Sequence, residues 1–321
     1  MKTTNRIFKS LNSAFLPLLV MFAFATSVVA QTARIVYSEP ANTLISAKPA
    51  RYATYTQIFS MNPDGSGVTQ LTSGAVNSDN PAWSPNQQYI AFTRGTEVTV
   101  MQANGSGAFA VAAAVGAGDS SLSWSADSTE LAFTSADENS DLYVVSVDAA
   151  TRTAGTPTLF AEGPSYDVNW SPDGTKVAFD RYDSQFSGNS AIIVHEVATG
   201  AEYNFSAMIS APNSWDPSWS PSGTMLAFQA TANITTTTKQ GKKTVTTTTT
   251  IYPLFIANAD GTDLGQVTPS SSAFGYEFGA TWSPDGTSLA FMNGFGNMYK
   301  TVIGSEVFTF LSDGSFPDWN P

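Results

Sequence analysis

The sequence predicts an all-β fold, a six-bladed β-propeller of four-stranded antiparallel blades. A motif typified by DVNWSPDGTKVAFD at 167–180 recurs along the chain, and six tryptophans mark its copies at intervals of 37 to 63 residues. The two ends of the chain hold complementary parts of one further repeat. A four-stranded unit repeated every 40–50 residues or so is typical of a propeller, because one such sheet cannot bury both of its faces alone.

Each copy of the motif predicts a β-hairpin. Apolar residues alternate on both sides of Ser-Pro-Asp-Gly, where Pro172 suits the second turn position and Gly174 supplies a positive φ. A β-rich run and a short fourth strand follow most copies, which completes four strands per repeat. The marking tryptophans are best explained as core between blades: Trp83, Trp124, Trp170, Trp219, Trp282 and Trp319.

The chain ends predict how the ring closes. A single Trp strand stands at 316–321, whereas ARIVYSEP from Ala33 has the pattern of a second strand without a first. With the third and fourth strands that follow, these segments complete one blade, and the five internal copies supply the other five. We therefore expect the C-terminal strand to pair with strands from the N-terminal end.

The pattern PxWSPDGxxxAF, followed by a strand and an Asp-Gly turn such as NPDG at Asn62 or NADG at Asn258, resembles the TolB-type propeller repeat, a WD40-like repeat. The resemblance covers residues 33–321 and concerns the propeller domain only. TolB carries an α/β domain ahead of its propeller, whereas the repeats here begin almost at once. The resemblance therefore implies a protein-binding propeller, without the Tol–Pal role as such.

Residues 1–30 have the pattern of a secretory signal peptide. Three basic residues precede an apolar run from Ala14 to Ala25, and cleavage is expected after Ala30. The apolar run is shorter than the ~20 residues of a membrane span, and without cysteine there is no lipid anchor, disulfide or thiolate. We therefore expect a periplasmic or secreted bacterial protein, a monomer without a membrane anchor, whose mature part at 31–321 is one propeller domain.

The mature sequence is strongly acidic. Residues 1–30 hold three of the 14 basic residues and none of the 26 acidic ones, which leaves 11 basic against 26 acidic side chains. Such a surface repels nucleic-acid phosphates and anionic lipids, so neither is expected as a partner. The simplest explanation of this charge is solubility. The alternative is that the acidic surface binds a cation or a cationic partner.

The segment NITTTTKQGKKTVTTTTT at 233–250 is an insertion between the second and third strands of the fifth blade, and it explains the 63-residue interval. Threonine favours extended structure, and the Lys-Gln-Gly-Lys-Lys centre is typical of a turn, so we predict a protruding hairpin. Lys239, Lys242 and Lys243 form the single basic cluster of the mature sequence. The hairpin is either a solvent-exposed insertion without a binding role or an arm that contacts a partner.

The resemblance also implies where a site lies, because in such propellers the loops before each first strand and between strands two and three surround one channel mouth. The residues placed there are Asp79, Asn80, Asp119, Tyr166, Asp167, Trp215, Asp216, Phe274, Tyr276, Phe278 and Phe316. Oxygen ligands from several blades suit calcium, with Asp167 and Asp216 as candidates, although Asp also caps turns at such positions. The aromatic residues suit a peptide or a sugar ring.

Catalytic interpretations find little in the sequence to support them. The single histidine, His195, lies on a predicted strand, and without cysteine neither a Cys–His pair nor a multi-histidine metal site can form. The first hypothesis is a non-catalytic exported scaffold that binds a protein or peptide through its loop face, with no cofactor unless calcium. The alternative is a carbohydrate-binding or carbohydrate-cleaving propeller, with Asp167 and Asp216 as the carboxylate pair.

Overall fold

The computed structural model describes residues 33–47, 50–113, 121–135, 139–183, 189–211, 213–240, 243–269 and 276–321. Within these residues the strands form six small antiparallel sheets, the blades of a β-propeller, and the predicted fold class is confirmed. One short helix, α1 (Phe205–Met208), accompanies the strands of the described ranges. The predicted signal peptide at 1–30 lies outside them.

The first three blades follow the order of the chain. Blade 1 contains β1 (Ile35–Ala47), β2 (Ala50–Met61) and β3 (Thr69–Gln70). Blade 2 contains β4 (Ser78–Trp83), β5 (Tyr89–Arg94), β6 (Glu97–Gln102) and β7 (Phe109–Ala113). Blade 3 contains β8 (Leu122–Trp124), β9 (Glu130–Thr134) and β10 (Leu142–Asp148), and both β11 (Thr153–Ala154) and β12 (Thr158–Ala161) pair with β10.

The remaining blades include the insertion. Blade 4 contains β13 (Ser165–Trp170), β14 (Lys176–Asp183), β15 (Asn189–Glu196) and β16 (Glu202–Asn204). Blade 5 contains β17 (Ser214–Trp219), β18 (Met225–Ala230), the inserted β19 (Ala232–Gln240) and β20 (Lys243–Ile251), then β21 (Leu254–Asn258) and β22 (Gly265–Gln266). Blade 6 contains β23 (Glu277–Trp282), β24 (Ser288–Asn293), β25 (Asn297–Val302) and β26 (Phe308–Asp313), and β27 (Ser315–Trp319) ends the chain.

The ring closes as the sequence predicts. Strand β27 is the innermost strand of blade 1, in the order β27-β1-β2-β3, and Trp319 lies opposite Ile35 in an antiparallel register. Asn320 adds two hydrogen bonds to Arg34, accepting from its backbone N–H at 2.6 Å and donating to its carbonyl at 2.9 Å. Both chain ends therefore build one blade.

The Ser-Pro-Asp-Gly segment makes a self-contained turn. Gly174 has φ +70° and its N–H donates to the Ser171 carbonyl at 2.9 Å. The Asp173 carboxylate accepts from the Ser171 hydroxyl (2.7 Å) and the Thr175 N–H (3.0 Å), which lowers the pKa of Asp173. Since the repeated polar residues satisfy one another, the motif is explained by turn formation and not by ligand binding.

The repeated aromatic residues form the core between blades. The six repeat tryptophans are 4–8% exposed, and the phenylalanines of the second strands are 0–3% exposed: Phe92, Phe133, Phe179, Phe228 and Phe291. Trp83 of blade 2, for example, packs in one cluster with Val36 and Ile58 of blade 1. The predicted role of the tryptophans as core is confirmed.

A belt of hydrogen bonds joins neighbouring blades beside the channel. The residue before a repeat Trp accepts, through its side chain, the backbone N–H of the next blade's Trp. The four such pairs are Asp318 Oδ2 with Trp83 (2.6 Å), Ser123 Oγ with Trp170 (2.8 Å), Asn169 Oδ1 with Trp219 (2.8 Å) and Thr281 Oγ1 with Trp319 (3.1 Å). The belt ties the closing blade to both of its neighbours.

The belt can be tested at Asn169. We expect Asn169→Ala to lower the free energy of unfolding by about 1–3 kcal/mol, because the Trp219 N–H loses its acceptor in the buried strand. Ser218→Ala is the control, because blade 6 contacts the Ser218 backbone carbonyl, through Trp282 Nε1 at 3.0 Å. Urea denaturation followed by tryptophan fluorescence measures both variants, and an equal loss in the two would contradict the prediction.

Candidate functional site

The channel opens into a cavity of about 740 Å³ that residues of all six blades line. The lining includes polar and aromatic side chains from the starts of the innermost strands, among them Asn80, Asp167, Trp215 and Asp216. Four acidic residues and no basic residue belong to the described lining. The cavity is therefore an acidic pocket with aromatic walls.

A bend in the innermost strands points side chains into this cavity. The residue three places before Trp has a positive φ in five blades: Asn80 (51°), Asp167 (47°), Asp216 (57°), Gly279 (62°) and Phe316 (50°). At each, the pairing register shifts as in a β-bulge, which redirects the side chain. Asn, Asp and Gly tolerate positive φ best, so the bend explains these residue types and also places two carboxylates on the cavity.

Three carboxyl groups meet on one wall of the cavity. The Asp167 carboxyl lies within hydrogen-bonding distance of both Asp180 and Asp216. Burial, and then repulsion from Asp216 and Asp180, raises the pKa of Asp167 well above its ordinary value. Burial also raises the pKa of Asp216, and that of Asp180 to about 7. Because the buried Asp167 carboxyl lies against both others, the three resist ionising together near neutral pH, which favours a proton shared within the cluster.

The three carboxyl groups differ in exposure. Asp180 is only 3% exposed, whereas Asp167 and Asp216 keep part of their surface open to the cavity. Dense protein nevertheless surrounds all three, so loss of hydration dominates their pKa values. Within the described part of the chain, Asp180 Oδ1 and the buried Asn80 Nδ2 have no hydrogen-bond partner. Both residues line the cavity, so an acceptor and a donor there are unsatisfied.

Asp180 is a site residue that the sequence analysis did not single out. It follows the phenylalanine of its motif, and the equivalent residues are all buried at 0–6% exposure: Ser38, Thr93, Thr134, Gln229 and Met292. Every equivalent is neutral, so Asp180 is the one charged side chain at this position of the repeat. That difference between copies is the signal that could have found it.

A row of three aromatic rings forms another part of the wall. The ring centroids of Trp215 and Tyr252 are 6.0 Å apart, and those of Tyr252 and Tyr276 are 4.5 Å apart with the planes at 24°. Tyr276 is 54% exposed. Tyr252 directly follows β20, so the row joins the foot of the inserted hairpin to the cavity. The sequence analysis did not include Tyr252 among the residues of the mouth.

Two solved structures of TolB propellers superpose on this fold. TolB from Acinetobacter baumannii superposes with a TM-score of 0.63 at 17% identity, over 90% of this chain and 67% of that chain. A structure assigned as TolB from Agrobacterium tumefaciens gives 0.57 at 16% identity, over 88% and 91%. The fold is a TolB-like six-bladed β-propeller.

The TolB-like propeller is also similar to an enzyme. Oligogalacturonate lyase from Vibrio parahaemolyticus superposes with a TM-score of 0.52 at 11% identity, over 87% of this chain and 79% of that chain. No protein-family model matches the chain, and no curated protein matches its sequence. At these low identities the comparisons establish the fold, and the site must be interpreted from its own residues.

The TolB-like propeller brings most of the predicted mouth residues together. Those that line the cavity are Asn80, Tyr166, Asp167, Trp215, Asp216, Tyr276, Phe278 and Phe316. Asp79 is not among them: its carboxylate accepts from the Asn80 N–H at 3.0 Å, and burial raises its pKa. Asp119, Phe274 and Lys242 lie outside the described residues. His195 stands apart from the cavity, 3.4 Å from Glu202 and packed on Phe160.

The threonine-rich segment forms an antiparallel hairpin between the second and third strands of blade 5. Its register runs from Ala232 opposite Ile251 to Gln240 opposite Lys243, one residue longer at each end than 233–250. The described threonines are exposed on both faces, and cross-strand pairs such as Thr235 with Thr248 lie within hydrogen-bonding distance, 3.2 Å. Lys239 and Lys243 stand beside its tip.

A second long hairpin, which the sequence analysis did not predict, belongs to blade 1. Strands β1 and β2 remain paired as far as Ala47 and Ala50. Leu44 and Tyr52 near this end are 51% and 65% exposed. Like the threonine hairpin, it joins the second and third strands of its blade, and these two blades flank blade 6. Two long hairpins therefore extend from the face that carries the cavity.

The described ranges lack both an assembled metal site and a membrane-spanning helix. Within them, no group of three or more histidine, aspartate or glutamate side chains is arranged to hold a metal ion. The same ranges contain no helix with the length and apolar character that crossing a bilayer requires.

Proposed function

We propose that this TolB-like propeller is an exported, non-catalytic scaffold that binds a protein or peptide partner at the mouth of its channel. The observation that carries the proposal is the cavity of about 740 Å³, where aromatic rings and carboxyl groups converge from several blades. Ligand pockets typically measure about 300–1,000 Å³ and combine apolar walls with a few polar groups. A side chain of a docked partner fits such a pocket, with the surrounding loops as the rim.

The threonine hairpin is the second part of the proposed contact. Tyr252 at its foot stacks on Tyr276 and contacts Trp215, so the hairpin rises from the wall of the cavity. Its threonine hydroxyls and the basic Lys239 and Lys243 offer a surface of opposite charge to the acidic pocket. A partner that enters the cavity would meet this arm beside it.

The alternative function is carbohydrate recognition. Tyr276 stacks on Tyr252 and is largely exposed, and aromatic rings of this kind suit a sugar ring. The likeness of the fold to oligogalacturonate lyase also favours a carbohydrate ligand. The acidic lining disfavours an anionic sugar, so a neutral glycan is the better candidate. Glycosidases keep their two carboxyl groups at least ~5 Å apart, whereas Asp167 and Asp216 are within hydrogen-bonding distance.

A capture experiment tests the first function. Mature protein at 31–321 serves as bait for an envelope extract, beside a Trp215→Ala/Tyr276→Ala variant and a form in which 233–250 is a short turn. We expect a protein that the native bait retains and the double variant loses, because both rings line the pocket. Val307→Ser is the control, since Val307 is 69% exposed but outside the cavity lining.

The outcomes separate the two functions. If the double variant still captures the protein that the native bait captures, the contact lies elsewhere and binding at the channel mouth is overturned. Binding to neutral glycans on an array, lost in the same double variant and without any captured protein, would favour the carbohydrate alternative.

A further inference from the structure

We propose that the carboxyl cluster and the aromatic row together form a receptor for a basic side chain, arginine in particular, that a peptide partner inserts into the channel. This inference rests on the proposed function and names the chemical group that the cavity recognises.

The charge of the lining selects a cation. The four acidic residues of the described lining are Asp167, Asp180, Asp216 and Asp318, and no lysine, arginine or histidine lies among them. A cation in the cavity therefore meets no competing positive group of the described chain. An anion would face several carboxyl groups in surroundings with little water, where repulsion is strong.

The unsatisfied atoms show that the carboxyl cluster is not complete by itself. Asp180 is 97% buried, and its Oδ1 has no hydrogen-bond partner among the described residues. Because a buried carboxyl group without a full set of donors is unfavourable, a ligand that donates to the cluster through the accessible surface of Asp167 or Asp216 relieves it. Asp216 accepts only one backbone bond on Oδ2, from Gly279 at 2.9 Å, which leaves lone pairs for a further donor.

The geometry favours a guanidinium over a simple ammonium. A guanidinium is planar, carries five N–H donors and stacks on aromatic faces, so one group can serve several carboxylate oxygens and a ring at once. The cavity offers both, because Trp215 and Asp216 are consecutive residues of β17 and both line it. A cation over the face of Trp or Tyr is itself stabilised by the ring, and more strongly when water is excluded.

Insertion of a cation would also displace the proton that the cluster shares. Burial, and after it the neighbouring carboxyl charges, raises the pKa of Asp167, which favours a proton held within the cluster. A guanidinium replaces that proton as the counter-charge, so binding should release a proton to solvent near neutral pH. The other titratable groups of the described lining are Asp318 and the phenols of Tyr166, Tyr252 and Tyr276.

The test titrates mature protein with Ac-Gly-Arg-Gly-NH₂ and with its citrulline counterpart, a neutral compound of almost the same shape. We expect the arginine peptide to bind at least about tenfold more tightly, with proton release seen by calorimetry in two buffers of different ionisation enthalpy. Asp180→Asn and Asp216→Asn should each weaken it by about tenfold or more. Asp313→Asn, an exposed aspartate outside the lining, should not.

Several outcomes would overturn the receptor proposal whether or not a protein partner is found. Equal affinity for the two peptides, or arginine binding that Asp180→Asn leaves unchanged, would overturn the proposal. Calcium chloride is titrated alone as well: tight calcium binding without arginine binding would assign the cluster to a metal and also overturn it. Far-UV circular dichroism confirms folding of each variant, and if Asp180→Asn fails to fold, Asp216→Asn decides.

The two proposals can fail independently. If the arginine peptide binds and no partner is captured, the receptor stands and the binding of a protein at the mouth fails. If a partner is captured at the mouth and the arginine peptide does not bind, the proposed function stands and the receptor fails.

Discussion

Removing residues 315–321 is expected to abolish the cooperative unfolding transition or to lower its midpoint by more than about 10 °C. The deletion takes away the innermost strand of blade 1, including Trp319, which is 6% exposed. It also removes the Asp318 contact to Trp83 and leaves β1 with an unpaired edge beside the channel. Loss of one buried Trp alone costs about 3–5 kcal/mol, against a total stability of about 5–15 kcal/mol.

The matched control shortens the chain elsewhere. Replacing 233–250 by a short turn removes more residues, yet most of their side chains are exposed, so the midpoint should stay within a few degrees of the native value. Circular dichroism on heating measures both proteins, and Trp319→Ala should lie between them. A truncated protein that melts like the native one would show that the ring does not depend on the terminal strand.

The ring was predictable because its signals are local and repeated. Each motif specifies its own turn through residues such as Ser171, Asp173 and Gly174, and each Trp must be buried between blades. The half-repeats at the two chain ends then leave one arrangement in which every blade is complete. Six copies of one pattern thus constrain the fold far more than any single copy.

The site was only partly predictable, for physical reasons. Asn80, Asp167 and Asp216 could be found because they precede the repeat Trp at a fixed distance. Asp180 is not revealed by the alternation of a second strand, because channel-facing and core-facing residues alternate alike; only its charge, at a position that is neutral in the other copies, marks it. The β1–β2 extension was missed because a hairpin exposed on both faces, with Leu44 and Tyr52 open to solvent, needs no alternating apolar pattern.

The buried acids should make the propeller most stable in mild acid, near pH 4. Burial raises the folded-state pKa of Asp180, Asp318 and Glu277 to about 7, above their ordinary values of 3.8 to 4.5. The folded state therefore binds more protons than the unfolded state between about pH 4 and 7, and this contribution to stability is lost as pH rises through 7. Turn carboxylates act oppositely: hydrogen bonds lower the pKa of Asp285 to about 2, so its contribution is lost as pH falls below about 4.

Asp167→Asn isolates the part of this dependence that comes from the carboxyl cluster. The amide keeps two N–H donors for Asp180 and Asp216, asparagine tolerates the φ of +47° at this position, and the cluster no longer has to hold a proton. We expect the melting midpoint at pH 8 to rise by at least about 2 °C, and the difference between pH 5 and pH 8 to shrink. Asp173→Asn is the control, because hydrogen bonds lower the pKa of that turn carboxylate, so its loss should reduce the midpoint across this range. Parallel midpoint curves for Asp167→Asn and the native protein from pH 5 to 8 would show that the cluster holds no shared proton, and the receptor proposed above would then release none on binding a cation.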